Sequence, residues 1–486
     1  MGSKKKKIKD EIVVSFLGAQ SEIVTGSATL VSILNDDGFT RTNVLIELGM
    51  VQGEGDIFDD YRANRDLLEN IPLKSIDYCF NLHLHADHSM NLPALSCNDK
   101  VRIIMTEENK EICKPMLLDG CYVHDKTVEY LNGRGKRVKH LYKEPDFWNV
   151  YDKIDTYSTN EIHKLTDKIS FRFTNTCHLI ASTQLELFIK KRSGIVKKIV
   201  YTSDLGDMSN KASNYFVGEQ EPISKADLLL IESTYGNKQA YTKEEVKKEQ
   251  EDLFNTIIKY VVKDRKNMLI PSFALGRTQN LMCLLYDRFK GDKTFNATIV
   301  IDSTLANKIN EVYRKILKDE ELDYWNEVCS WGHFEFLRDY KSSVAFMQKK
   351  IPCLVLSSSG MISGGRSQIW AERLLGQTGS LIAFVGYCGS GTIGREILDG
   401  KEVIEVNGSK VLRRCDIKRY NTFSGHAQQK TLVNYIKGMS DNCTVVLHHG
   451  DSSAKEELKR VAEEELRKMN KTNKIIITKK NMQITL

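Results

Sequence analysis

His83-Leu84-His85-Ala86-Asp87-His88 places three imidazoles and a carboxylate within six residues. Imidazole nitrogen and carboxylate oxygen are the donors that Zn²⁺ or Mn²⁺ takes when one coordination position must stay open for water. The stretch follows an apolar run, Ile76 to Leu82, that reads as a buried strand. Residues leaving a strand end enter irregular backbone, where histidines two apart can converge on one point. The cluster therefore reads as the core of a metallohydrolase site; the plain alternative is a polar loop with incidental histidines.

Similar signals recur further along the chain. His178 follows the strand-like Phe171 to Thr174, Asp204 follows Ile199 to Tyr201, and His449 follows Thr444 to Leu447. A two-ion site needs more donors than the first cluster holds, including a carboxylate able to bridge. Each of these three also has a local reading, as a turn or a strand cap.

Length and composition frame the rest. A chain of 486 residues with 41% hydrophobic content has material for several packed cores, with a prior of about two to four domains. No apolar run approaches the roughly 20 residues that cross a bilayer, so no membrane association is expected. Met1 to Lys7 carries charge without the apolar segment of a secretory signal. The 11 cysteines are scattered from Cys79 to Cys443 with no Cys-x-x-Cys pair, which points to a reducing cytoplasm. The net charge of +6 allows a polyanionic partner without requiring one. Part of it is the run Lys4 to Lys7 plus Lys9, read as a solvated arm.

Strand-like runs at Ile12 to Phe16, Ala28 to Leu34, Val44 to Leu48, Val101 to Met105, Ile169 to Phe173 and Ile199 to Tyr201 predict mixed α/β layering. From about Lys225 strands (Leu228 to Ile231, Met268 to Pro271, Thr298 to Ile301, Cys353 to Ser357, Leu381 to Gly386) alternate with helix-like segments, a doubly wound texture. Tyr241 to Arg265 has helical apolar spacing. Thr444 to Leu447, the helix-like Glu456 to Lys468 and the strands Lys474 to Thr478 and Met482 to Leu486 return to the first texture.

In order along the chain stand Leu45-Ile46-Glu47-Leu48-Gly49, the histidine cluster, Thr202-Ser203-Asp204-Leu205-Gly206, Glu232-Ser233-Thr234-Tyr235-Gly236, Pro271 to Gln279, Ser359-Gly360-Met361, Phe423-Ser424-Gly425-His426-Ala427 and His449-Gly450-Asp451. This series resembles the β-CASP branch of the metallo-β-lactamase fold, a family of nucleases, and most nearly the bacterial and archaeal relatives of the cleavage and polyadenylation factor's endonuclease subunit. The resemblance implies an α/β fold: a metallo-β-lactamase αββα sandwich, residues 1–236 and 424–486, with a doubly wound β-CASP domain inserted at 237–423. Neither a long C-terminal extension of the ribonuclease J type nor an RNA-binding KH domain ahead of Ile12 is expected.

The same resemblance implies two divalent ions, Zn²⁺ first and Mn²⁺ as the alternative. His83, His85 and His178 would hold one, Asp87, His88 and His449 the other, and Asp204 would bridge. A hydroxide between ions roughly 4 Å apart would attack phosphorus in line. His426, beside Glu232, would protonate the leaving ribose oxygen, since a neighbouring carboxylate favours imidazolium; Asp87, Glu232 and His426 are thus the catalytic candidates. The presence of His449 points to the RNA-cleaving branch, with single-stranded RNA as partner and internal cleavage as the expected mode. Arg277, Arg395 and Ser424 are candidates for phosphate contacts, the arginines equally for pairing within their own domain. A homodimer is left open.

Competing classes are a 5′-exoribonuclease or DNA nuclease of the same family, a non-nuclease hydrolase of the lactamase fold, and an inactive RNA-binding scaffold. Gly389-Ser390-Gly391-Thr392-Ile393-Gly394 fits a dinucleotide pattern, but Glu405 is poorly placed for a ribose and no nicotinamide cofactor is expected. His448 would face away from His449. Two departures stand out. Glu47 replaces the usual Asp, so the carboxylate that orients a ligand histidine reaches one methylene further. Cys177-His178-Leu179-Ile180-Ala181-Ser182-Thr183 replaces Gly-His-x-x-Gly-Ser-Ala, which leaves the turn around His178 open.

Overall fold

Short apolar runs form most of the strands of this protein. The computed structural model describes residues 11–19, 24–53, 55–207, 214–221, 223–389 and 391–486. The basic run Lys4 to Lys7 with Lys9, and Ser390 of the glycine-rich pattern, lie outside the described residues.

In chain order the strands are β1 (Ile12–Phe16), β2 (Thr29–Leu34), β3 (Arg41–Ile46), β4 (Tyr78–Phe80), β5 (Arg102–Met105), β6 (Ile154–Thr156), β7 (His163–Lys164), β8 (Ile169–Asn175), β9 (Thr183–Lys190), β10 (Val196–Tyr201) and β11 (Leu228–Glu232). Then follow β12 (Met268–Pro271), β13 (Thr298–Asp302), β14 (Phe334–Phe336), β15 (Cys353–Ser357), β16 (Leu381–Phe384), β17 (Val403–Val406), β18 (Ser409–Leu412) and β19 (Asp416–Arg419). β20 (Thr444–His448), β21 (Lys474–Ile477) and β22 (Gln483–Thr485) complete the series.

The chain forms two units, one of Met1–Met208, Val217–Ala240 and His426–Leu486, the other of Ser209–Phe216 and Tyr241–Gly425. The sequence had suggested cuts after 236 and 423, and had kept the short segment before Phe216 with the first part.

In the first unit two seven-stranded sheets, β22-β1-β2-β3-β4-β5-β6 and β21-β20-β11-β10-β9-β8-β7, share one core. Val14, Val31, Val44 and Phe80 from one sheet meet Phe171, Leu187, Ile199 and Leu230 from the other, all fully buried. The outer face of the second sheet is covered by helices Gln429–Gly438 and Ser452–Lys468 through Leu432, Ile436, Leu458 and Ala462. Helices Ile57–Asn70 and Glu107–Gly133 pack on each other through Tyr61, Val128 and Leu131, and the second of them lies against β6 of the first sheet. Helix, sheet, sheet and helix give the αββα order.

β9 has no counterpart among the strands read from the sequence. Its Glu186 looks misplaced in a strand but is fully buried, gripped by Arg172 of β8 and Lys198 of β10 on the neighbouring strands. The C-terminal helix begins at Ser452 rather than Glu456, because the Asp451 carboxylate caps Ala454 N–H at 2.8 Å.

In the second unit a six-stranded sheet, β14-β13-β15-β12-β16-β19, is parallel throughout. The expected helix after Tyr241 starts at Lys243 behind a Thr242/Glu245 capping box, runs to Ile257 and continues as a π-helical turn over Ile258–Lys263. β17 and β18 form a separate ribbon closed by Asn407-Gly408, both at positive φ (50° and 80°), the geometry a two-residue hairpin needs.

Candidate metal centre

β4 stops at Phe80, and the chain then runs extended through His83 and His85 before Ala86–Ser89 coils into one helical turn. That change of backbone aims Asp87 and His88 at the point His83 and His85 already face. The other candidates arrive at the carboxyl ends of strands. β10, β11 and β20 are parallel neighbours, with Tyr201 opposite Leu230 and Glu232 opposite His448. Asp204, Glu232 and His449 thus reach one sheet edge from distant parts of the chain.

Two glycines set how closely the loops pack. A Cβ on Gly49 would lie 1.7 Å from the Asp87 carbonyl oxygen, and one on Gly206 would lie 1.8 Å from that of Cys177. No side chain fits at either position. The turn around His178 answers the departure at its glycines: Cys177 and Ala181 both adopt left-handed backbone, φ 62° and 61°. The chain keeps a shape suited to glycine and carries strain of order 1–2 kcal/mol at each position.

Asp204 stands at the centre, buried, with its two oxygens facing different partners. Oδ2 is 3.5 Å from His83 Nε2 and 3.5 Å from His178 Nε2, and His178 Nε2 is 3.3 Å from His85 Nδ1. Oδ1 is 3.2 Å from His88 Nε2 and 3.3 Å from His449 Nε2, each of which is 3.7 Å from Asp87 Oδ2. The donor atoms of His83, His85, His178 and Asp204 lie within 4.8 Å of one another, as do those of Asp87, His88 and His449. All seven side chains named from the sequence are gathered here.

The histidines are held from behind. His88 Nδ1 donates to Glu47 Oε2 at 2.7 Å, His83 Nδ1 lies 3.0 Å from Ser203 Oγ, and His449 Nδ1 lies 3.3 Å from Ser27 Oγ. With Nδ1 engaged, each ring turns Nε2 toward Asp204. His83 Nε2, His88 Nε2 and Asp204 Oδ1 are buried without a hydrogen-bond partner. Buried polar atoms converging on one point suit a site built to hold a cation. Burial also pushes His85, His178 and His449 well below the usual imidazole range, into the neutral form that binds metal. Burial opposes charge on His88 as well, but Asp204, Glu47 and Asp87 outweigh it and hold that ring well above its ordinary value. The donor set fits a divalent metal ion.

Backbone carbonyls of the same loops are pinned by amides. Asn109 Nδ2 donates at 3.1 Å to both Leu82 and Ala181 carbonyls, tying the His83 loop to the His178 loop. Asn81 Nδ2 donates to the His88 carbonyl at 3.3 Å. Ser27, Ser203 and Asn109 were not singled out in the sequence, because their partners are far away along the chain.

His426 Nδ1 is 3.3 Å from Glu232 Oε1 and 3.8 Å from Asp204 Oδ2, with the side chain 20% exposed. Burial lowers its pKa, yet Glu232 and Asp204 outweigh that and raise it to about 9. A cation on Asp204 would cancel that residue's share and leave Glu232 as the main support. His448 packs against Tyr201, ring centroids 4.9 Å apart, and is not among the grouped donor atoms. Arg277, Arg395 and Ser424 belong to the second unit. Arg395 makes a bidentate pair with Asp399 at 2.9 and 2.6 Å, the within-domain pairing its sequence context had allowed.

Comparison with known proteins bears on this geometry. The β-Casp domain family matches residues 278–397, and the Zn-dependent metallo-hydrolase RNA specificity domain family matches residues 410–476. The chain carries both domains, and its fold is a metallo-β-lactamase fold with a β-CASP insertion. It is 28% identical over 408 residues to cleavage and polyadenylation specificity factor 73 of Drosophila melanogaster, covering 82% of this chain and 55% of that protein. It is 25% identical over 421 residues to an RNase J-like protein of Methanocaldococcus jannaschii, covering 85% and 87% of the two chains. The crystal structure of a protein of unknown function from Enterococcus faecalis V583 shares the fold, with a TM-score of 0.51 at 14% identity over 98% of this chain and 100% of that one. The chain spans just over half the length of the Drosophila relative.

Proposed function

We propose that the protein is a metal-dependent ribonuclease that hydrolyses phosphodiester bonds within single-stranded RNA. The carrying observation is the division of labour on Asp204, whose Oδ2 faces one set of histidines while Oδ1 faces another with Asp87. On this reading His83, His85 and His178 hold one ion, Asp87, His88 and His449 a second, and Asp204 joins them, with zinc as the resident metal. Two such ions supply Lewis acidity toward the phosphate and lower the pKa of water.

The rest falls to the side chains. Glu47 and Ser203 fix the histidine tautomers. His426, kept protonated by Glu232, donates its proton to the leaving ribose oxygen. The names of the relatives, a cleavage factor and an RNase J-like protein, support RNA as the substrate class. Arg277 and Ser424 remain proposed phosphate contacts; Arg395 must first leave Asp399. Eleven free thiols support a cytoplasmic setting. Among the described residues no helix is long and apolar enough to cross a membrane. Sedimentation of the purified chain reads whether it forms a homodimer.

The test is incubation of 5′- and 3′-labelled RNA, and of matching DNA, with wild type, Asp87→Ala and His426→Ala. Internal products from RNA that vanish in both variants support the proposal. Stepwise loss from the 5′ end would replace internal cutting with exonuclease action, and preference for DNA would change the substrate. Equal cleavage by all three proteins would refute the mechanism.

A further inference from the structure

Ser203 occupies a backbone conformation that suits glycine, with φ 51°, yet carries a side chain and buries it. A residue held there against its preference needs a compensating contact. Its hydroxyl supplies two. Ser203 Oγ donates to Glu47 Oε1 at 2.5 Å and accepts from His83 Nδ1 at 3.0 Å. His83 Nδ1 and Glu47 Oε1 are themselves 3.8 Å apart, beyond direct hydrogen-bond reach. The other carboxylate oxygen, Oε2, receives His88 Nδ1 at 2.7 Å and Tyr201 Oη–H at 2.9 Å. Glu47, Ser203, His83 and His88 are each at most 1% exposed, so water does not replace any of these bonds.

One buried carboxylate therefore reaches both sides of Asp204, touching His88 directly and His83 only through the serine. We propose that Ser203 is a positioning residue which extends Glu47 to His83, so that a single carboxylate orients one histidine in each of the two ion-binding sets. This rests on the two-ion reading above. The arrangement makes the two positions unequal in their dependence: removing the hydroxyl loosens the His83 side alone, whereas removing the carboxylate loosens both.

The experiment strips the purified chain with a chelator and titrates zinc against a chromophoric competitor for wild type, Ser203→Gly, Ser203→Ala and Glu47→Gln. Wild type takes up two equivalents; uptake of fewer would overturn the two-ion reading itself. Ser203→Gly and Ser203→Ala should each weaken one equivalent by roughly 10–100-fold, the usual cost of losing a ligand-orienting hydrogen bond, and leave the other unchanged. Glu47→Gln should weaken both. The metal-free thermal midpoint of Ser203→Gly should lie above that of Ser203→Ala, because both lose the hydroxyl's two buried hydrogen bonds and only glycine relieves the backbone. In a His449→Ala background Ser203→Gly should still weaken the remaining ion, and in a His178→Ala background it should not. Two wild-type equivalents with unchanged zinc affinity in Ser203→Gly, or an equal loss at both positions, would overturn the role given to Ser203.

Discussion

Glu232 Oε1 lies 3.3 Å from His426 Nδ1 and also accepts the Leu205 N–H at 2.8 Å, one residue past Asp204. The same oxygen thus supports the proposed acid and fixes the loop of the proposed bridging carboxylate. Gln at this position keeps an acceptor for Leu205 but discards the charge. Without metal the imidazolium of His426, raised to about 9, is present below that pH and lost above it, and a cation on Asp204 moves that loss to lower pH. Activity limited by this donor should therefore fall on the alkaline side. In Glu232→Gln that fall should move down by about 1 pH unit or more, the usual effect of an adjacent opposite charge, with little change near pH 6. Rate profiles at saturating zinc read the shift; an unmoved alkaline limb would assign the proton to another group.

His88 sits among Glu47, Asp87 and Asp204 and is held protonated in the metal-free protein. A cation at Nε2 must displace that proton. Zinc binding at pH 7 should release protons, and affinity should weaken as pH falls. Calorimetry in buffers of different ionisation enthalpy measures the release directly. Saturation at about 100 times the dissociation constant should also add about 2.7 kcal/mol of stability per site.

The loop packing around His178 gives opposite expectations for two small changes. Gly206→Ala drives a methyl into the Cys177 carbonyl and should cost several kcal/mol, roughly the scale of overpacking a tight core, with loss of bound zinc. Ala181→Gly relaxes a left-handed residue at φ 61° and should stabilise by up to about 1 kcal/mol, leaving zinc content intact. Denaturant melts with metal analysis distinguish them.

Ten of the eleven cysteines are buried and only Cys97 is exposed. A thiol reagent should modify one group rapidly in the native protein and the remainder on unfolding. Cys97→Ser should abolish the fast phase.

Four of the donor residues were legible as one cluster, His83 to His88, whereas His178, Asp204 and His449, each a short step past an apolar run, were weak signals alone and took ligand roles only from the family resemblance. Ser27, Ser203 and Asn109 left no such trace: a serine or asparagine beside a loop is ordinary until its partner, 120 residues away for Ser203 and 422 for Ser27, is seen. Glu47 was legible as an orienting carboxylate, but not its reach to two histidines. β9 was hidden for a related reason, since Glu186 breaks the apolar pattern and its compensating cations lie on other strands. The β17–β18 ribbon buries Ile404 and Val406 in the second unit's core, but its strands are short and the Asn407-Gly408 turn is their main signal.

The parallel placement of β10, β11 and β20 has a consequence for how the protein is made. Translation delivers the histidine loop and Asp204 early, then the whole second unit, and only afterwards His426 and β20 with His449. On the proposed reading a nascent polypeptide tethered to the ribosome lacks both its proton donor and the last ligand. The donor cluster is complete only once β20 has emerged and paired with β11.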